Sequence, residues 1–247
     1  MNNTIQEQYH IKMKTGDVGR YVLLPGDPGR CKEIAKYFDD PVLVAENREF
    51  ITYTGYLLGE KVSVTSTGIG CPSTAIAVEE LFRIGSDTFI RVGTAGIIDD
   101  EINFGDLVIV SGAIRDEGTS INYLPIEFPA IANIDIVKSL EFVAKKNNIK
   151  HKVGITQSKD SFFAQHSPHK MGDPNKLIDR WNAWKIGKAL CSEMESSALF
   201  IISSMLGARA GGIMLIQNIN SPVSLKNLIE TSIDGLKQLI INDKENE

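Results

Sequence analysis

The 247-residue chain is 43% apolar and 23% charged, a globular composition that excludes disordered and fibrous architectures and allows a full core. Lysine and arginine number 26 against 31 acidic residues, a net charge of −5, so no basic face for nucleic acid is expected and any anion site must be local. Cys31, Cys71 and Cys191 have no C-x-x-C spacing, which argues against a disulfide framework or structural zinc and for a reducing compartment, the cytoplasm.

The first 17 residues hold no apolar core of leader length, and no stretch nears the roughly 20 apolar residues of a membrane span. Neither export nor a membrane partner is expected. Residues 21–25 read as a buried strand, broken by Gly26-Asp27-Pro28-Gly29 before a helix over 30–38. A strand at 41–45, a hairpin over 50–66 turning near Leu58-Gly59-Glu60 and a second glycine turn, Thr67-Gly68-Ile69-Gly70, follow. A helix opens at Pro72 and stops before Gly85; the strand at 88–92 ends in a third turn, Gly93-Thr94-Ala95-Gly96, ahead of a strand at 107–111. Helical spacing returns at 134–147, then a strand at 152–158 leads into a stretch over 163–175 with neither period, which reads as an irregular lid. Helices at 177–188, 195–206 and 225–241, short strands at 189–191 and 211–217, and a frayed tail at 242–247 complete the pattern. The alternation predicts one α/β domain over 1–247, a central mixed sheet in a three-layer α/β/α arrangement.

Two arginines beside glycine turns suit a local anion site. Arg30 lies at a strand-to-helix turn whose N–H groups and dipole can face an anion. Arg91 sits inside the apolar run Thr88-Phe89-Ile90-Arg91-Val92, where it either pairs with a core carboxylate or offers its fork to phosphate. Neither the turn at Gly26 nor the one at Gly68 has G-x-G-x-x-G spacing and no P-loop string is present, which disfavours dinucleotide and nucleotide triphosphate chemistry. Glu193-Met194-Glu195 stands where a strand gives way to a helix. The two carboxylates serve one ligand, such as a sugar diol, only if Glu193 is still extended; otherwise they complement the helix dipole. Lys159, Phe162, Gln165, His166 and His169 cluster at the start of the lid. Phe162 suits stacking on a flat ring or a place in the core; Gln165 offers a donor and an acceptor; Lys159 and His166 either hold developing negative charge or face solvent.

Five strings in one order carry a more specific signal: P-G-D-P-x-R (Pro25 to Arg30), N-R-E-F (Asn47 to Phe50), S-T-G-I-G-x-P-S (Ser66 to Ser73), R-x-G-T-x-G (Arg91 to Gly96) and E-M-E-S (Glu193 to Ser196). Together they resemble the nucleoside phosphorylase-I family, over about residues 10–212. The resemblance implies that family's fold and the reversible phosphorolysis of a nucleoside, with inorganic phosphate as co-substrate and no resident cofactor. It implies phosphate held by Gly26, Arg30, Arg91 and Arg48, with Thr94 bridging phosphate and sugar, and ribose held by Glu193, Met194, Glu195 and His10. Arg48 and His10 then serve a neighbouring subunit's site, so a homo-oligomer is implied, with a dimer needed for complete sites and a hexamer as a trimer of dimers. A monovalent cation such as K+ is implied near Glu49, Ile69 and Ser73.

The Gln-x-Arg pair that reads uracil in many relatives is absent, because Gln165 is followed by His166 and Ser167 and the next arginine is Arg180. Lys159, Phe162, Gln165 and His166 are instead similar to a uridine-cleaving branch of Gram-positive-type bacteria, implying uracil contacts at those four and charge support from Lys159. Purine-cleaving relatives carry an acid after the late strand, where this chain has Ile216-Gln217-Asn218. Uridine, and 2′-deoxyuridine with it, is therefore the expected substrate, and uracil and ribose 1-phosphate the products, as in pyrimidine salvage. A purine nucleoside phosphorylase or nucleosidase of the same family and a non-catalytic nucleoside-binding module are the alternatives.

Overall fold

The computed structural model describes residues 7–218, 220 and 223–246; the stretch read for leader character lies partly outside them, at 1–6. In chain order the elements are β1 (Tyr21–Leu24), α1 (Pro28–Ala35), β2 (Asp39–Asn47), β3 (Phe50–Leu57), β4 (Glu60–Thr65), α2 (Cys71–Arg83), β5 (Thr88–Ile97), β6 (Leu107–Asp116), β7 (Ala130–Ile131) and α3 (Ile134–Lys146). Then come β8 (His151–Lys159), α4 (Phe162–His166), α5 (Pro174–Ile186), β9 (Cys191–Glu193), α6 (Ser196–Leu206), β10 (Arg209–Ile216) and α7 (Lys226–Asn246).

Local chemistry sets most boundaries. Asp27 caps α1 by accepting the Gly29 N–H at 2.9 Å, and Pro28 fills the first turn where no N–H is needed. Leu58 and Gly59 both have positive φ (53° and 79°), the geometry of the tight turn that closes the β3–β4 hairpin. Asn133 caps α3 through the Asp135 and Ile136 N–H groups, and Gly207, at φ 74°, ends α6 in a left-handed cap.

The mixed sheet runs β2-β3-β4-β1-β5, and β5 pairs with both β10 and β9. Because β10 also pairs with β6, β6 with β8 and β8 with β9, five of the strands close on themselves. The helices α3 and α7 pack together and on β10, Gly235 letting α7 sit against Leu140; α2 and α6 pack together on the side of β6. This matches the expected mixed α/β architecture.

One register matters for the site. β4, β1, β5 and β10 are mutually parallel, whereas β9 runs antiparallel to the end of β5, with Gly96 opposite Ser192. The chain beyond Ser192 therefore turns back toward Arg91, and the carboxyl ends of β1, β5, β8 and β9 converge, the usual place for a ligand in such sheets.

Three expectations need correction. Gly93 to Gly96 is not a turn: β5 continues to Ile97, because β10 pairs with it as far as Ala95 and β9 pairs beyond. The glycine at 93 serves close packing, since a Cβ there would stand 2.6 Å from Met214 Sδ. The lid at 163–175 is not wholly irregular; it carries α4, a 3-10 turn at 168–170 and the start of α5, capped by Asp173 on the Lys176 N–H. The expected frayed tail is helical to Asn246, and Glu247 lies outside the described residues. Smaller shifts move the short strand at 189–191 to Cys191–Glu193.

Candidate active site

A cavity of about 780 Å3 opens where these strand ends meet, and Gly26, Arg30, Arg91, Thr94, Glu193, Met194, Glu195, Lys159, Phe162 and His166 all line it. One end is cationic. Arg30, from the first turn of α1, donates Nη1 to the Val92 carbonyl at 3.0 Å, and its buried Nε has no partner among the described residues. Arg91 is buried on β5, and among the described residues its Nη1 is likewise without a partner. Gly26 permits the approach: a Cβ there would lie 3.8 Å from Arg91 Nη1 and 3.1 Å from the Gly68 carbonyl. Burial first, and then the charge of Arg91, push the Arg30 guanidinium below its ordinary value. Two cations face one space with donors to spare, an arrangement that an anion relieves.

Arg91 pairs with core carboxylates and still keeps one donor free among the described residues. Its Nε donates to Glu193 Oε2 at 2.8 Å and its Nη2 pairs with Glu195 Oε2, while Nη1 stays available. Burial works against its charge, but Glu195 and Glu193 outweigh that and raise its pKa. Glu193 is still extended at the end of β9, the condition under which the two carboxylates share a ligand. It is fully engaged, accepting also from Ser158 and from the Glu195 and Ser196 N–H groups. Glu195, just before α6, takes the Gly70 N–H at 2.6 Å and is raised by burial, with Arg91 pulling it back. Glu193 is therefore a strut for Arg91, and Glu195 bridges the cation to the cavity.

The opposite end carries Lys159, Phe162 and His166. Lys159 closes β8, is buried, and donates Nζ to Ser192 Oγ at 2.7 Å. Burial pulls its ammonium from the ordinary 10.5 down to about 8, against the attraction of Glu193 and Asp116. The same burial, and then Lys159 itself, lowers His166, which keeps that imidazole neutral at pH 7. Phe162 is not a core residue: it is 39% exposed at the rim, with its ring 4.4 Å from that of His166. Gln165 lies 2.9 Å from Ser192 Oγ and lines a second space of about 640 Å3 that shares Gly96, Lys159, His166 and Gln217 with the first. His169 lines neither space.

Arg48 and His10 are not brought to this cavity. Arg48, at φ 56° between β2 and β3, is exposed beside the Tyr9 ring. His10 binds Glu80 on α2 through Nδ1 at 2.7 Å, and Asn47 holds its carbonyl. Glu49 and Ser73 line the cationic end, joined by a 2.9 Å hydrogen bond, and Ile69 is 78% exposed beside them. Sequence reasoning missed Ser192, which contacts Lys159, Gln157 and Gln165 at once, and the Gln157 and Asp116 behind it. No spacing signals them, since the contact depends on β8 and β9 lying parallel with Gln157 opposite Ser192.

The family model of the phosphorylase superfamily matches residues 20–238. The chain is 45% identical to a uridine phosphorylase of Treponema pallidum, over 97% of this chain and 89% of that one. It is also 45% identical to a uridine phosphorylase of Thermococcus kodakarensis, over 83% and 74%, and 39% identical to a guanosine phosphorylase of Halorubrum lacusprofundi, over 84% and 81%.

Proposed function

This chain belongs to the phosphorylase superfamily, and from that premise we propose that it cleaves uridine reversibly with inorganic phosphate, giving uracil and ribose 1-phosphate. The observation that carries this is the pair of unpartnered guanidinium nitrogens, Arg30 Nε and Arg91 Nη1, on a cavity whose far end holds Lys159. Phosphate takes those nitrogens together with the N–H groups of the turn at Gly26, and sits beneath C1′ with Thr94 between it and the sugar. Glu195 accepts from the ribose hydroxyls and so turns C1′ toward the phosphate. As the C1′–N1 bond breaks, its electron pair leaves with uracil, the sugar gains oxocarbenium character, and a phosphate oxygen bonds to C1′. Lys159 faces the negative charge that develops on the uracil carbonyls in a low-dielectric pocket, while Phe162, Gln165 and His166 orient the ring. No covalent enzyme intermediate is required.

The site is completed in a homo-oligomer, by Arg48 on phosphate and His10 on the ribose 5′-hydroxyl of a neighbouring copy; a hexamer of three dimers is the assembly we propose. Arg48 is exposed and is not among the residues that line this chain's own cavity, which supports that sharing. Glu49, Ser73 and the Ile69 carbonyl offer the oxygen donors that K+ prefers, but too few from one chain for a full shell, and no step is assigned to the cation. Three buried free cysteines favour a cytoplasmic setting, and among the described residues no helix is long and apolar enough to cross a membrane.

The guanosine phosphorylase relative and the added space beyond Gln165 favour a second reading, in which a purine nucleoside is accepted. Rates with uridine, thymidine and inosine, each with and without phosphate, decide between them. Phosphate-dependent cleavage of uridine above inosine supports the first reading; faster inosine cleavage overturns it, and cleavage without phosphate overturns phosphorolysis itself.

A further inference from the structure

A chain of polar side chains runs from the lid to the base end of the cavity. Arg180 on α5 pairs with Asp116 at the end of β6, Asp116 accepts the Gln157 Nε2 proton at 2.6 Å, and Gln157 Oε1 stands 2.8 Å from Ser192 Oγ. Ser192 Oγ is in turn 2.7 Å from Lys159 Nζ and 2.9 Å from Gln165 Oε1.

The inventory of donors decides how this chain is polarised. An ionised carboxylate only accepts, so Asp116 binds the amino half of Gln157 and leaves Oε1 facing Ser192. The Ser192 hydroxyl has one proton, and Oε1 of Gln157, pinned from behind, takes it. Two lone pairs remain on Ser192 Oγ. Lys159, which has only donors, uses one, and the other can only accept, so with the hydroxyl proton given to Gln157 the Gln165 amide must make a half-turn from the orientation with Oε1 at Ser192 and present Nε2 there instead. Building on the function proposed above, we propose that Ser192, with Gln157 and Asp116 behind it, is the positioning residue that turns the Gln165 amide so that its carbonyl faces the cavity, and that aims the Lys159 ammonium at the base. The site then selects bases that carry a ring N–H flanked by carbonyls, as uracil does, over bases with a bare ring nitrogen there, as in cytosine.

The charged and titratable groups facing Lys159 are Asp116 from β6, Glu193 and Cys191 from β9, Glu195 beyond it and His166 from α4. Ser192→Ala leaves these in place and removes an acceptor that favours the ammonium. The alkaline limb of kcat/KM for uridine is then expected to move below its parental position, and kcat/KM to fall about tenfold or more. Ser192→Thr, which keeps the hydroxyl, restores both to within about threefold. Asp116→Asn unpins Gln157, and the ratio of inhibition constants for cytosine and uracil is expected to narrow about tenfold. Lys159→Met is the control. If it is impaired while Ser192→Ala keeps the parental rate and pH profile, or Asp116→Asn keeps the parental cytosine-to-uracil ratio, the positioning role is overturned. If Lys159→Met itself matches the parent, the leaving-group role under the proposed function has failed instead, and the cytosine-to-uracil ratio alone decides on Ser192 and Asp116.

Discussion

Replacing Lys159 by methionine keeps most of the side chain's length and removes its charge, which separates catalysis from stability. Charge-assisted hydrogen bonds contribute about 1.5–3 kcal/mol, so kcat/KM for uridine should fall between about tenfold and somewhat over a hundredfold. Stability should move the other way. The ammonium titrates near 8 in the folded chain against an ordinary 10.5, through burial. Between those values the unfolded chain binds more protons, so the parent gains stability as pH rises from 8 toward 10.5 and carries its full penalty, about 3 kcal/mol, at pH 7. Lys159→Met escapes that penalty. Urea unfolding should show it more stable than the parent at pH 7 by up to that amount, with the difference closing near pH 10.5. Phosphorolysis within about threefold of the parent, or an unfolding difference independent of pH, would refute the reasoning.

Arg30 and Arg91 should separate similarly. Arg30→Ala removes a buried cation with an unpartnered Nε, and is expected to raise KM for phosphate about tenfold or more with little loss of stability. Arg91→Ala leaves Glu193 and Glu195 buried without their cation and should cost about 3–5 kcal/mol in urea unfolding besides abolishing turnover. Gly93→Ala places a Cβ 2.6 Å from Met214 Sδ and 3.1 Å from Arg91 Cζ; a loss of about 1–3 kcal/mol in unfolding free energy and a raised KM for phosphate are expected. At low phosphate, mixed oligomers of Arg48→Ala and Arg30→Ala subunits should be more active than either variant alone, because some sites then carry both arginines; verified mixtures without that gain would contradict the shared site.

What could be read in the sequence was whatever local chemistry decides. The turn at Gly26 beside Arg30 and the oddity of an arginine inside Thr88 to Val92 were legible because a buried guanidinium has few uses. The sequence left Arg91 between ion pair and ligand, and only the return of β9 along β5 shows it ion-paired through Nε and Nη2 with Nη1 left over. Gly93 to Gly96 misled for the same reason: its strand partners, Met214 to Ile216 and Ser192, are about a hundred or more residues away. The start of α5 carried a readable signal, Asp173 followed by Pro174, that the glycine and histidine content of the lid outweighed. Ser192 has no such mark and is significant only through its neighbours.

The central claim is that phosphate, gripped by Arg30 and Arg91, attacks C1′ while Lys159 carries the departing uracil. Phosphorus NMR of the protein with uridine and inorganic phosphate tests it directly: a ribose 1-phosphate resonance should grow in step with uracil and with loss of phosphate, and should be nearly absent with Arg30→Ala at low phosphate. Uracil appearing together with free ribose, at an undiminished phosphate signal, would contradict it.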